Sequence, residues 1–275
     1  MQIKTIAVGV MSEPEAAWLL PAACDLAARL GAHLTCVHPV EPFVPSIAAD
    51  AGVADIAAPV FLQWQQDETI AIKQRFDQLS AAAGVAAEWR SQALTAFGAE
   101  EFLTDATRAA DLVVIGQVAP MDEPRDQARM QEYLIRHVGR PVLVLPLGYK
   151  TAPLGCHVLI GWSDTREANR AAHDVLEIAG PAAAADILHV GDGDVATEVC
   201  ADLAAMLDRH GLKAQIIERP VGESIAETLK QAALEQGADM IVTGAFGHSR
   251  IYDFVVGAVT RNLLVGARLP VLFSH

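Results

Sequence analysis

The fold class this sequence predicts is α/β, as two consecutive domains, each built on a five-stranded, mainly parallel sheet. Three observations predict it. Short apolar runs alternate with longer alanine-rich or amphipathic segments along the whole chain, the strand-helix-strand rhythm of βαβ units. Two landmark pairs recur: ADLVVIG at 110–116 matches ADMIVTG at 238–244, and RPVLVL at 140–145 matches LPVLFS at 269–274. Between the copies, LGYKTAPL at 147–154 has the glycine and proline content of a linker, which sets a boundary near Lys150 and domains of 1–150 and 151–275.

In the first half, residues 3–10 read as a buried strand, 15–30 as a helix with Gly31 as its C-cap, and 32–37 as the next strand. Pro39, Pro42, Pro45 and Pro59 make 39–60 a loop or irregular excursion. Residues 61–83 read as a helix whose core stripe would be Phe61, Trp64, Ile72, Phe76 and Leu79, with Trp64 as a ligand platform the competing reading. A strand at 85–91, a helix at 99–109, a strand at 111–115, a helix at 127–138 and a strand at 141–146 complete the half. The second half repeats the order. Its strands are expected at 156–161, 185–190, 214–219, 239–243 and 271–274, and its helices at 166–178, 195–210, 224–236 and 255–264. Ser224 reads as an N-cap, and Gly211 and Gly237 as C-caps.

Composition narrows the function. A chain of 275 residues, 52% hydrophobic, has the material for real cores, and a net charge of -14 argues against nucleic acid or an anionic membrane as partner. No apolar run has the length of a membrane span or the pattern of a signal peptide, so a soluble cytoplasmic protein is expected. Cys24, Cys36, Cys156 and Cys200 lack CxxC spacing and read as buried small hydrophobes.

The stretch 240–270 carries the strongest functional signal, because Gly244, Gly247 and Gly257 join a buried strand to a helix. Such a turn lets backbone approach a ligand and offers unpaired N–H groups to an anion; it is equally a tight connection needing glycine for geometry alone. The corresponding stretch of the first half holds Pro120, Pro124, Asp122, Glu123 and Asp126, a poor anion site.

With these landmarks the sequence resembles the universal stress protein family in a tandem form spanning essentially the whole chain. The resemblance implies Rossmann-like domains of the adenine nucleotide alpha hydrolase-like type. Nucleotide-binding members carry a glycine, two residues, a second glycine, nine residues, and a third glycine followed by Ser or Thr. Gly244, Gly247 and Gly257 match that spacing, but Ala258 stands at the hydroxyl position, with Ser249 and Thr260 the nearest hydroxyls. The resemblance also implies that Ser163 or Asp164, in GWSDTREA, approaches the ribose and that the backbone of Val190 reads the adenine edge. In the first half, Val8, Gly9, Val10 and Met11 lead into a loop without the Asp, and the third glycine is absent. The cofactor implied is ATP or a related adenine nucleotide, with Mg²⁺ a further option. The family's dimerisation through its last strand would be met internally by 142–145 and 271–273 as a pseudo-dimer, leaving a further homodimer open.

His248 and Arg250 are candidates to contact phosphate, or else cap the loop and pair with Asp253; Thr260 would replace the missing hydroxyl only if its helix turns it toward the loop. Asp164, Asp192 and Asp194 are the candidate Mg²⁺ carboxylates, against the reading of a solvated acidic loop. His33, His38, His157, His173 and His189 show no metal-binding spacing, and neither a GKS or GKT P-loop nor a GxSxG elbow occurs, so no catalytic or metal set is assigned. Three functions follow: a stress-response regulatory protein binding an adenine nucleotide in its second half, a structural or interaction protein without nucleotide, and a slow nucleotide hydrolase.

Overall fold

The computed structural model describes residues 2–40, 51–94, 98–117, 125–180, 182–191, 196–247 and 257–275, with only the backbone of 51–57, 125–128 and 196–198. Each half runs strand, helix, strand, helix through five strands, the order of a Rossmann-like α/β domain. The first holds β1 (Thr5–Gly9), α1 (Glu13–Leu30), β2 (His33–Val40), α2 (Ala51–Ala82), β3 (Ala87–Ala93), α3 (Ala99–Thr107), β4 (Leu112–Gly116), α4 (Arg125–His137) and β5 (Val142–Leu145). The second holds β6 (His157–Trp162), α5 (Arg166–Asp174), β7 (Ala184–Val190), α6 (Ala196–Arg209), β8 (Lys213–Arg219), α7 (Ile225–Gln236), β9 (Met240–Gly244), α8 (Ala258–Gly266) and β10 (Val271–Ser274).

The chain divides into two compact units, one of them Lys4–Asp111 with Gly148–Thr151. There β1, β2 and β3 pair in parallel. Helix α1 starts where the Ser12 hydroxyl accepts from the Glu15 N–H and stops at Gly31 in the left-handed conformation. The loop expected over 39–60 is corrected at both described ends. Pro39 belongs to β2, beyond the last β1 partner at Val37, so its missing N–H interrupts no β1 pairing. Residues 51–60 are helical, and α2 carries Pro59 within it; loss of one backbone hydrogen bond is absorbed by a helix of 32 residues. Residues 41–50 lie outside the described part.

Helix α2 also corrects the expected core stripe. Ile72 and Phe76 are buried, whereas Trp64 is 55% exposed and Gln65 faces inward. The buried positions 65, 72, 76 and 80 follow helical spacing, and Trp64 falls to one side of that line, its ring 5.8 Å from Phe61. Cys24, Cys36 and Cys200 are buried as expected, but Cys156 is exposed. Burial pushes the Cys24 thiol up to about 11 and Cys36 well above its usual range, which removes both from thiolate chemistry at neutral pH.

Buried His38 spans this unit, donating from Nδ1 to the Val10 carbonyl at 2.8 Å while Nε2 receives the Thr69 hydroxyl at 3.4 Å. Burial holds its pKa below the ordinary value near 6.5, outweighing the opposing pull of the Val10 carbonyl and Glu68. The unfolded chain therefore takes up a proton first as pH falls. Stability should decline from about pH 6.5 down to the lower folded-state pKa. Thermal melts of the native protein and of His38→Gln between pH 7.5 and 5 should show this component only in the native protein; parallel pH slopes would refute it.

The other unit comprises chiefly Leu112–Leu147 and Ala152–His275. Its strands lie in the order β4-β5-β10-β9-β6-β7-β8, all neighbours parallel except β5 and β10. The antiparallel junction pairs Val142 with Phe273, Leu143 with Leu272 and Val144 with Val271, so the last strands of the two halves cover each other's edge. The repeated AD landmark has a structural job. Asp239 accepts from the N–H groups of Gly155, Cys156 and His157 at 2.7–3.0 Å, and Asp111 does the same for Lys4 and Thr5 at 2.9 and 3.0 Å. Asp239 thereby ties the start of β6 to β9.

Candidate functional site

Strand β6 lies between β7 and β9, and the connections from those neighbours leave in opposite directions. The carboxyl ends of the strands at such a reversal form the usual ligand crevice of an open α/β sheet. Four expected residues emerge there: Ser163 and Asp164 just past β6, Val190 as the last residue of β7, and Gly244 as the last of β9. In register, Trp162 pairs with His189 and Gly161 with Thr243, so Ser163 falls one step beyond the first pair, level with Val190, and two steps beyond the second.

The loop after β6 is shaped by its own hydrogen bonds. Thr165 accepts from the Ala168 N–H at 3.2 Å as N-cap of α5, and its hydroxyl lies 3.3 Å from that of Ser163. Asp164 is exposed and lines a cavity of about 440 Å³ between α5 and α6, together with Trp162, Arg166, Asn169, His173 and Asp202. That volume lies within the range of small-molecule sites.

The glycine turn packs against the first turn of α5. A Cβ on Gly244 would stand 2.5 Å from the Ala168 nitrogen and 2.6 Å from the Glu167 carbonyl carbon. One on Gly247 would stand 2.9 Å from Glu167 Oε2 and 3.3 Å from the Thr165 hydroxyl. Glu167 is 3% exposed, and its Oε1 accepts from Arg166 Nε. Burial works to raise its pKa, but Arg166, its own backbone N–H and His275 together hold it below the usual carboxylate range.

Gly257 opens α8 with φ at 91°, and a Cβ there would meet the Phe246 ring at 2.8 Å. Phe246 itself has φ at 54°, an unusual conformation for an aromatic residue. It is held by three contacts: its N–H donates to Thr260 Oγ1 at 3.2 Å, the Arg136 guanidinium sits 3.5 Å above its ring, and His275 meets it edge-on. Thr260 is thus 2% exposed and supports the turn from beneath. Ala258 brings no hydroxyl. His248, Ser249, Arg250 and Asp253, like Asp192 and Asp194, lie outside the described residues.

The described residues thus form two unlike surfaces: an open cavity walled by Trp162 and Asp164, and, on the Gly247 side, a buried carboxylate. Among the described residues no group of three His, Cys, Asp or Glu is placed to hold a metal ion. His38 is engaged as above, and His157 Nε2 lies 3.0 Å from Asp186 Oδ2. Sequence reasoning missed Glu167, Trp162 as a cavity wall, Phe246 and Arg136. Glu167 stands within GWSDTREA, yet its role depends on Gly247, which only the fold brings to it.

Among the described residues no helix is long and apolar enough to cross a membrane. Residues 157–275 match the model of the universal stress protein family. The universal stress protein Slr1230 of Synechocystis is 28% identical over 173 residues, covering 59% of this chain and 57% of that relative's length. A universal stress protein structure from Archaeoglobus fulgidus aligns over 99% of this chain and 96% of its own, with a TM-score of 0.71 at 14% identity. A functionally unknown protein from Pseudomonas aeruginosa aligns over 99% and 92%, with a TM-score of 0.57 at 16% identity. At those identities the structures speak for the fold, and the family match for the second half. The second half of the chain, residues 157–275, is thus similar to the universal stress protein family.

Proposed function

We propose that this is a stress-response binding and regulatory protein, without catalytic turnover, whose second half takes up an adenine nucleotide or nucleoside. The division into domains 1–150 and 151–275, the first without a ligand, is part of the same proposal, as is their pseudo-dimeric partnership through β5 and β10. One observation carries the reading. The loop Ser163–Asp164, the end of β7 at Val190 and the glycine turn converge at the reversal of strand order around β6, beside a cavity walled by Trp162. In this reading Trp162 offers a face to the base, Asp164 accepts from ribose hydroxyls, and the Val190 backbone meets the adenine edge. A Mg²⁺ ion would be brought by ligand phosphates, since the described side chains supply no ready set for it.

Calorimetric titration of the full chain with adenosine, AMP, ADP and ATP, with and without Mg²⁺, tests this reading. Dissociation constants in about the micromolar range are expected for at least one of them, typical of a shallow polar-rimmed site. Absence of heat for every ligand would sink it in favour of a second reading, an interaction protein with no small-molecule ligand. That second reading draws on the packing of Gly244 and Gly247 against α5, which uses the glycines for the fold itself.

A further inference from the structure

We infer that Glu167 sets the ligand class of this site, admitting an uncharged adenine nucleoside and turning away the phosphate chain; this rests on the binding reading above. The carboxylate is built into the turn. Its side chain is nearly inaccessible, its Oε2 lies on the Gly247 side, and its Oε1 accepts from Arg166 Nε at the start of α5. The first turn of a helix and a glycine turn are both places where backbone dipoles favour negative charge. Here the chain supplies that charge itself.

Among the described residues, two of the donors nearest Gly247 already have acceptors. Arg166 Nε donates to Glu167 Oε1, the Phe246 N–H goes to Thr260 Oγ1, and the Ala258 side chain has no donor. A phosphate brought beside Gly247 would face a buried like charge in a region of low effective dielectric, where repulsion is strong. The cavity on the other side of the loop has the opposite character. Asp164 and Asp202 accept from hydroxyl or amino groups, Trp162 and Met206 supply apolar surface, and Arg166, Asn169 and His173 share the wall, a mixed lining suited to the base and sugar of a nucleoside.

Calorimetry on the full chain with adenosine, AMP and ATP, for the native protein, Glu167→Gln and Glu167→Asp, tests the inference, with melting curves to establish that each variant is folded. The native protein should bind adenosine at least about tenfold more tightly than ATP, with AMP between. Glu167→Gln, isosteric but neutral, should close that gap to about threefold by raising ATP affinity, and Glu167→Asp should close it in part by withdrawing the carboxylate one methylene. Equal or tighter binding of ATP by the native protein overturns the inference and leaves the binding reading standing. So does an unchanged adenosine-to-ATP ratio in a folded Gln variant. If that variant fails to fold, the native series and Glu167→Asp decide on the same criteria. Silence from all three ligands with every folded protein overturns the binding reading and the inference together.

Discussion

Gly244→Ala should destabilise the unit that carries the second half by about 3 kcal/mol, near the upper end of the usual cost of overpacking. The reason is the identity of the atoms in the way. A methyl group at 244 would stand 2.5 Å from the Ala168 nitrogen and 2.6 Å from the Glu167 carbonyl carbon, both backbone. Those atoms belong to the first turn of α5, which Thr165 caps, so relief requires moving the helix away from β9. Gly161 and Gly247 are the internal comparisons. Their added methyls would meet Leu229 Cδ2 at 2.8 Å and Glu167 Oε2 at 2.9 Å, the far ends of side chains and not backbone. Alanine at either should cost less, about 1–2 kcal/mol. Urea denaturation of the three variants checks the order; a Gly244→Ala midpoint no lower than that of Gly247→Ala would show that α5 yields easily.

Much of this architecture is legible in the chain. Ser224 and Gly237 bound α7, and Gly31 closes α1, because a hydroxyl acceptor before a helix and a left-handed glycine after it are local chemistry. The repeated ADLVVIG and ADMIVTG mark β4 and β9, and the aspartate of each repeat, Asp111 or Asp239, takes backbone donors from the start of its half's first strand. What stayed hidden is what depends on several elements at once. Whether Trp64 or Gln65 turns inward depends on how α2 is rotated against its unit, which periodicity left a residue out of step. Proline counts alone misplaced 51–60, since a long helix tolerates Pro59 and β2 tolerates Pro39 where pairing with β1 has ended. Within the site, the glycines were visible but the occupant of their space was not: Glu167 approaches Gly247 only through the adjacency of β6 and β9.

Phe273→Ala should have the larger effect, about 4 kcal/mol, as for other fully buried aromatic side chains truncated in a core. Phe273 is 0% exposed and sits in β10 between Val142 of β5 and Thr243 of β9, so its ring fills space where an antiparallel and a parallel pairing meet. The loss should reach the site as well. The next residue, Ser274, donates its hydroxyl to Asp174 Oδ2 at 2.8 Å, and its carbonyl accepts from the Ala245 N–H at 2.8 Å, which fixes the turn that begins at Gly244. His275 then holds the Ala245 carbonyl through Nδ1 at 2.9 Å. Removal of the ring should therefore lower the melting temperature and weaken ligand binding together, whereas Phe76→Ala, in the core of the other unit, should lower stability by a similar amount and leave ligand affinity unchanged. Calorimetry at a temperature where both variants remain folded separates the two effects. Equal loss of affinity in both would show that the site answers to global stability and not to the β10 strand beneath it.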